Sequence, residues 1–371
     1  MRILIAQAKK LKFILLILAA TLFFTSYVMA ETDSVSSDID SPQLNAEEPA
    51  NAAIPEAEDV PEMQALSGSE MMALSGTSEP ELPAISPSAI GGAFSSLMSE
   101  SFKTDLATGA ATLSISIVVP PGRKNVQPNL ALNYSSNNPN GICGVGWGLP
   151  ISAIQRSTKN GVPRYDSIDN FVAGGEELVK IKEEGDKYEY RAKMESAFTK
   201  YEYVSAENKW KAYDKSGTQY HFGSDISSRM TDHLTDPRYT FAWYLDEVTD
   251  VYGNAMKYTY EKDEDGSVYL RYIDYTSNSK CTPALTANKR IELVYVMDRP
   301  DKIYNNRTGW QTVMKRRLSE IRVSIGPDVI WSYILTYEPS VNTSRSLLAK
   351  IELTDGKETL PAKTFTYQRL D

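Results

Sequence analysis

Leu113-Ser114-Ile115-Ser116-Ile117, followed by Leu130-Ala131-Leu132-Asn133-Tyr134, sets an apolar side chain at every second residue. That is the period of a strand with one buried face, because successive side chains leave a pleated backbone on opposite sides. Heptad-like spacing is scarce from residue 110 onward, and 22 tyrosines with many Thr and Val suit half-buried pleated surfaces. The folded part is therefore read as all-β.

Outward from these strands, turn signals recur at Pro120-Pro121-Gly122, Asn140-Gly141, Asn160-Gly161, Gly174-Gly175, Glu184-Gly185-Asp186, Ser216-Gly217, Gly253-Asn254, Asp265-Gly266, Gly326-Pro327-Asp328 and Asp355-Gly356. Flanked by apolar alternation, they read as hairpin turns of an extended antiparallel meander. Three hairpins are specified: Lys209 to Tyr213 with Gln219 to Phe222, Trp243 to Thr249 with Ala255 to Tyr260, and Arg316 to Ile325 with Val329 to Tyr337. The region is long enough to bury a large core, as one extended sheet or as two packed β subdomains.

Two stretches share a grammar. Leu245, Val248, a Gly253-Asn254 turn and Tyr258-Thr259-Tyr260 match Leu348, Ile351, an Asp355-Gly356 turn and Phe365-Thr366-Tyr367. Such hairpins stack side by side, each covering its neighbour's edge. The pattern resembles tyrosine-aspartate (RHS/YD) repeats, which wind into hollow β shells; convergent hairpin chemistry explains two copies as well.

The N-terminal 90 residues differ in kind. Arg2, Lys9, Lys10 and Lys12 precede an uncharged run from Phe13 to Phe24, and Val28-Met29-Ala30 offers a cleavage site, so residues 1–30 read as a signal peptide. That run is shorter than the roughly 20 residues of a spanning helix. Residues 31–90 carry 13 acidic groups, no Lys or Arg and no aromatic residue, which predicts an acidic, disordered linker. The near-repeats Ala65-Leu66-Ser67-Gly68 and Ala73-Leu74-Ser75-Gly76 read as spacer.

The whole chain is at −9, with 39 basic and 48 acidic residues; setting aside four bases in 1–30 and 13 acids in 31–90 leaves 35 of each in residues 91–371. A neutral folded part offers no field for nucleic acid or anionic lipid. Cys143 and Cys281 are too few for a disulfide scaffold. Export would permit them to pair; the other reading is two buried small hydrophobes.

The glycine-rich passage is the most specific feature. Thr108-Gly109-Ala110-Ala111-Thr112, Pro120-Pro121-Gly122-Arg123, Pro128 to Ser136, Asn140-Gly141, Gly144-Val145-Gly146-Trp147-Gly148-Leu149 and Gly161-Val162-Pro163-Arg164-Tyr165-Asp166 follow in order. Together they resemble the N-terminal domain of the SpvB family, found in a Salmonella virulence-plasmid B protein and in the B components of insecticidal toxin complexes. The resemblance covers roughly residues 91–371. It implies a β scaffold, with Arg123, Arg156 and Arg164 as internal ties. The family's ADP-ribosyltransferase is a separate C-terminal domain, and Glu56-x-Glu58 and Glu79-x-Glu81 fall in the linker, so that activity is not carried over.

Inventory supplies no catalytic, cofactor or metal residues. His221 and His233 lack a His or Cys at ligand spacing. Gly-x-Ser-x-Gly is absent, and Gly141 to Gly146 is followed by neither Lys-Ser/Thr nor a helix, so it reads as a corner. Asp263-Glu264-Asp265-Gly266 with Asp246, Asp250 and Asp274 lacks the calcium-loop pattern and reads as a solvated hairpin tip.

The resemblance and the hairpin rhythm point to a non-catalytic structural module of a secreted, toxin-like protein. It would form part of a β shell or docking platform for an effector, with a downstream RHS segment or partner chain. The alternative is a secreted module binding a glycan or host protein through Tyr134, Trp147, Trp210, Trp243, Trp310 and Trp331.

Overall fold

The alternation quoted above forms β2 (Ala111–Ile117) and β3 (Leu130–Ser135), paired antiparallel with Ile115 opposite Leu132 and Ile117 opposite Leu130. All four of those side chains are buried. The computed structural model describes residues 100–104, 108–195, 197–232 and 239–367. The signal and linker readings of residues 1–90, and His233, lie outside the described residues.

With β1 (Glu100–Thr104) and β6 (Trp147–Gly148), β2 and β3 make a four-stranded sheet in the order β1-β2-β3-β6. A much larger antiparallel sheet follows. Its first part is β7 (Ala153–Arg156), β8 (Phe171–Ala173), β9 (Glu176–Glu184), β10 (Lys187–Ala192), β11 (Lys200–Val204), β12 (Lys209–Tyr213) and β13 (Gln219–Phe222). Strand β15 (Thr240–Thr249) pairs with both β7 and β13, so these eight strands close into an up-and-down barrel. Closure leaves the barrel itself no free edge. Aromatic side chains fill the interior: Trp210 and Trp243 are fully buried, and Phe171 and Tyr203 each lie 4.9 Å from Trp210. The short β14 (Arg229–Thr231) flanks β15.

Beyond the barrel the sheet continues as four hairpins: β15 with β16 (Asn254–Lys262), β17 (Val268–Asn278) with β18 (Lys289–Val296), β21 (Arg317–Ile325) with β22 (Asp328–Pro339), and β23 (Ser346–Thr354) with β24 (Lys363–Thr364). A small hairpin of β19 (Ile303–Asn305) and β20 (Thr312–Met314) lies between the second and the third. Each outgoing strand carries Leu-x-x-Val or Leu-x-x-Ile, at Leu245/Val248, Leu270/Ile273, Leu318/Ile321 and Leu348/Ile351. Each return segment carries, near its end, a tyrosine whose hydroxyl donates to that leucine's carbonyl: Tyr260 to Leu245 at 2.6 Å, Tyr295 to Leu270 at 2.6 Å, Tyr337 to Leu318 at 2.6 Å and Tyr367 to Leu348 at 2.8 Å.

The step from one hairpin to the next repeats as well. Tyr258 faces Ile273 and Tyr260 faces Leu270; Leu293 faces Ile321 and Tyr295 faces Leu318; Leu335 faces Ile351 and Tyr337 faces Leu348. A bulge immediately before each tyrosine leaves Arg271, Ser319 and Ala349 as the extra residue and adds local twist. Strand β13 enters the array by the same step, with Tyr220 opposite Val248 and Phe222, in the tyrosine's place, opposite Leu245. Thus two copies are legible in the sequence and four are present in the fold.

Replacing Tyr337 with Phe tests this relay. It keeps the ring and removes one hydroxyl donor from a buried carbonyl, so stability should fall by about 1–2 kcal/mol. Urea unfolding checks it, as a lower midpoint with an unchanged slope.

The polar face of the array is laced by charge pairs across strands, Arg271 to Glu292 and Arg290 to Asp274, each at 2.7 Å, among them. The apolar face carries the core residues Ile273, Ile291, Ile321, Val323, Tyr333 and Ile351. It is covered by the segment between β2 and β7.

The three expected hairpins form, with one difference. β15 and β16 pair only from Glu247 to Thr249, because the first half of β15 belongs to the barrel. Pro120-Pro121-Gly122 sits in a long irregular connection, not in a tight turn, and Asn160-Gly161 lies in the loop from β7 to β8. Barrel and hairpin array share one continuous sheet, beside the separate four-stranded one.

Candidate functional site: the glycine corner and its seat

Asn140-Gly141, expected as a turn, is the strand β4 (Asn140–Gly141), which pairs with β5 (Gly144–Val145). The turn itself is Ile142-Cys143, two residues later than the usual Asn-Gly signal places it. Gly144 has φ +89°, and a Cβ there would stand 2.6 Å from the Ser346 carbonyl oxygen; at Gly146, φ +79°, a Cβ would stand 2.4 Å from the Tyr134 ring. Only glycine allows both the left-handed backbone and that approach. The corner consequently lies directly on β23.

Polar groups fasten the corner and the chain leading into it. The Leu318 N–H donates to the Ile142 carbonyl at 3.0 Å. Trp331 donates to the Val118 carbonyl at 3.2 Å, Tyr275 to the Pro120 carbonyl at 2.9 Å, and the Val118 N–H to the Tyr333 hydroxyl at 2.9 Å. Arg123 donates to the Thr276 carbonyl at 2.9 Å. Irregular backbone can run through a core because side chains of the array satisfy its polar groups.

At the centre is an ion pair that the sequence reading missed. Arg299, 1% exposed, donates to the Gly141 carbonyl at 2.8 Å and to Asn140 Oδ1 at 3.1 Å, and pairs with Asp301 at 2.9 Å. Asp301 also accepts from Asn140 Nδ2 at 2.9 Å and from the backbone N–H and hydroxyl of Ser346, each at 2.7 Å. Burial alone would raise its pKa. The bonds from Arg299, Ser346 and Asn140 outweigh that and hold the carboxyl well below the usual range. One carboxylate thereby joins the corner, the loop after β18 and the start of β23.

Trp147 closes the far side. Its ring lies 4.8 Å from Phe365 and 5.3 Å from Tyr134, and its Nε1 donates to the Tyr367 hydroxyl at 2.9 Å. Beneath the corner, Ile142, Tyr244, Tyr260, Leu270, Tyr295 and Leu318 line a small apolar cavity of about 60 Å³.

Of the expected arginine ties, Arg123 and Arg156 act as such. Arg156 caps the barrel, donating to the Thr240 carbonyl at 2.9 Å, pairing with Asp169 at 2.8 Å and lying 5.2 Å from the Phe171 ring. Arg164 is exposed and contributes its backbone N–H, which donates to Asp169 at 2.9 Å.

Burial limits the aromatic platforms. Trp147, Trp210, Trp243 and Trp331 are buried, and Tyr134 and Trp310 are half-buried. The acids of the calcium reading have separate tasks: Asp246 accepts from Ser228 at 2.8 Å, Asp250 from Asn254 at 2.8 Å, Asp265 from Val313 N–H at 2.6 Å, and Asp274 pairs with Arg290 at 2.7 Å. Asp263 pairs with Arg316 at 2.6 Å. Both cysteines are free: Cys281 is exposed, while Cys143 is buried in the corner, where burial pushes its thiol up to about 12 against the pull of Arg299. His221 stands between Lys211 and Glu247 in the ladder, and burial lowers its pKa.

Among the described residues, no group of three or more His, Cys, Asp and Glu side chains is placed to hold a metal, and no helix is long and apolar enough to cross a membrane. What the site does chemically is fasten: donors and acceptors face one another across segments distant in sequence.

The family model of the Salmonella virulence plasmid 65kDa B protein, SpvB, matches residues 105–319. Proteins named mono(ADP-ribosyl)transferase SpvB from Salmonella choleraesuis (strain SC-B67) and Salmonella enteritidis are each 28% identical, over 58% of this chain and 41% of theirs. The chain thus spans well under half the length of those relatives. Among solved structures, the Photorhabdus luminescens Tc holotoxin pore superposes with a TM-score of 0.65 at 21% identity, over 73% of this chain and 16% of the other. The N-terminal domain of the effector SpvB from Salmonella typhimurium strain LT2 gives 0.54 at 21%, over 68% of this chain and 99% of that domain.

Proposed function

The chain belongs to the SpvB family, and on that premise we propose that it is a non-catalytic structural module of a secreted, toxin-like virulence protein. The module forms part of a β shell, or a docking platform, for an effector carried by a downstream RHS-type segment or a partner chain. The observation that carries this reading is the array of four hairpins joined by one repeated step. A repeated step adds units without changing the interface, as a wall is extended. The glycine corner fixes the array to the four-stranded sheet, and its polar groups are engaged in holding segments together. The transferase name of the relatives attaches to proteins of which this chain spans 41%, and the proposal leaves that activity to their remainder.

Size-exclusion chromatography of the chain mixed with an RHS-type component tests it. One co-eluting species is expected. Separate elution, with transferase or hydrolase turnover by the purified chain, would overturn the proposal.

A further inference from the structure

Resting on the shell reading, we infer that the outer edge of the last hairpin is an acceptor for one kind of partner: a β-hairpin whose outgoing strand carries Leu-x-x-Ile or Leu-x-x-Val. The argument is one of register. At three successive steps the tyrosine faces the leucine of the following hairpin, the residue two before it faces the following Ile, and one residue bulges between. Phe365-Thr366-Tyr367 repeats the donor half of that step. Tyr367 is already anchored to Leu348 like its three counterparts. Continuing the register places an incoming Leu opposite Tyr367 and an incoming Ile or Val opposite Phe365.

The backbone is disposed for this. The Phe365 N–H donates inward, to the Ala349 carbonyl at 2.8 Å. In the alternation of an antiparallel strand, Thr364 and Thr366 then turn their N–H and C=O groups outward. Both threonines are exposed, while Lys363, Phe365 and Tyr367 are half-buried. This is an edge prepared for strand addition, in which main-chain bonds supply affinity and alternate side chains supply selectivity. The barrel offers no such edge, because it is closed.

The probe is a cyclised, dye-labelled peptide of residues 317–339, the chain's own third hairpin, titrated onto the full chain by fluorescence anisotropy. Saturable binding is expected, weakened at least tenfold by Glu320→Pro in the peptide. In the protein, Thr366→Pro removes an outward N–H and blocks the next strand. Proline is tolerated on edge strands, so its thermal melt should match wild type while binding again falls at least tenfold. No saturable binding by the cyclised hairpin, or equal binding by the Thr366→Pro protein, overturns the inference. Hairpin binding without co-elution of the RHS-type component leaves the edge standing and removes the shell reading. Co-elution that Thr366→Pro does not affect, with no hairpin binding, does the reverse.

Discussion

Replacing Asp301 with alanine should lower the unfolding free energy by about 3–5 kcal/mol, the cost of leaving a buried charge without its partner. Arg299, 1% exposed, would keep its positive charge among the corner carbonyls. Three further bonds also go, since Asn140 and both donors of Ser346 lose their acceptor. Alanine at Arg299 should cost a similar amount, and the double variant much less than the sum, because neither remaining partner is then a lone charge. Urea unfolding of the cycle checks this; additive losses would mean that the pair is not coupled. The pH dependence has a definite sign. The folded carboxyl titrates below its unfolded value of about 3.9. Its contribution is therefore fully present above about pH 4, and is lost as pH falls from there toward the folded value. The Asp301→Ala variant should accordingly lose less stability than wild type between pH 5 and pH 3.

This ion pair also shows where sequence reading stops. Asp298-Arg299-Pro300-Asp301 looks like any polar turn, and its partners Asn140 and Ser346 lie far away in the chain. Nothing local marks a side chain whose importance comes from three segments meeting. Strand alternation, in contrast, is written residue by residue, and so the all-β class and the hairpin of β12 with β13 could be read directly. The repeat is an intermediate case. Leu270 to Tyr295 and Leu318 to Tyr337 follow the same grammar as the two copies recognised first, but the longer loop after β17 hides one and the β19 to β20 excursion separates the other from its neighbour. Variable loop length masks a period that hydrogen bonding preserves. Cys143 and Cys281 illustrate the opposite hazard, since a pairing allowed by chemistry is refused by position: one thiol is in the core and the other at the surface.

Trp147→Ala should be the second costly change, at about 3–5 kcal/mol for a large buried aromatic side chain. Trp147 is 2% exposed and fills the space between Tyr134 and the final hairpin. Its effect should also be uneven. The ring contact with Phe365 and the Nε1 bond to Tyr367 are what hold β24 from above, and β24 is only two residues long. The amide of Phe365, bonded to the Ala349 carbonyl, should therefore exchange with solvent about a hundredfold faster for each roughly 2.8 kcal/mol lost locally. Ala212 sits inside the closed barrel, and its amide should accelerate only with global unfolding. Trp147→Phe keeps the ring stacking and drops the donor, so it should cost about 1 kcal/mol and leave β24 largely protected. Equal acceleration at Phe365 and Ala212 in Trp147→Ala would show that the corner stabilises the whole fold evenly. Selective loss at Phe365 would show that the glycine corner's particular task is to seat the last hairpin, where the edge for the next strand is presented.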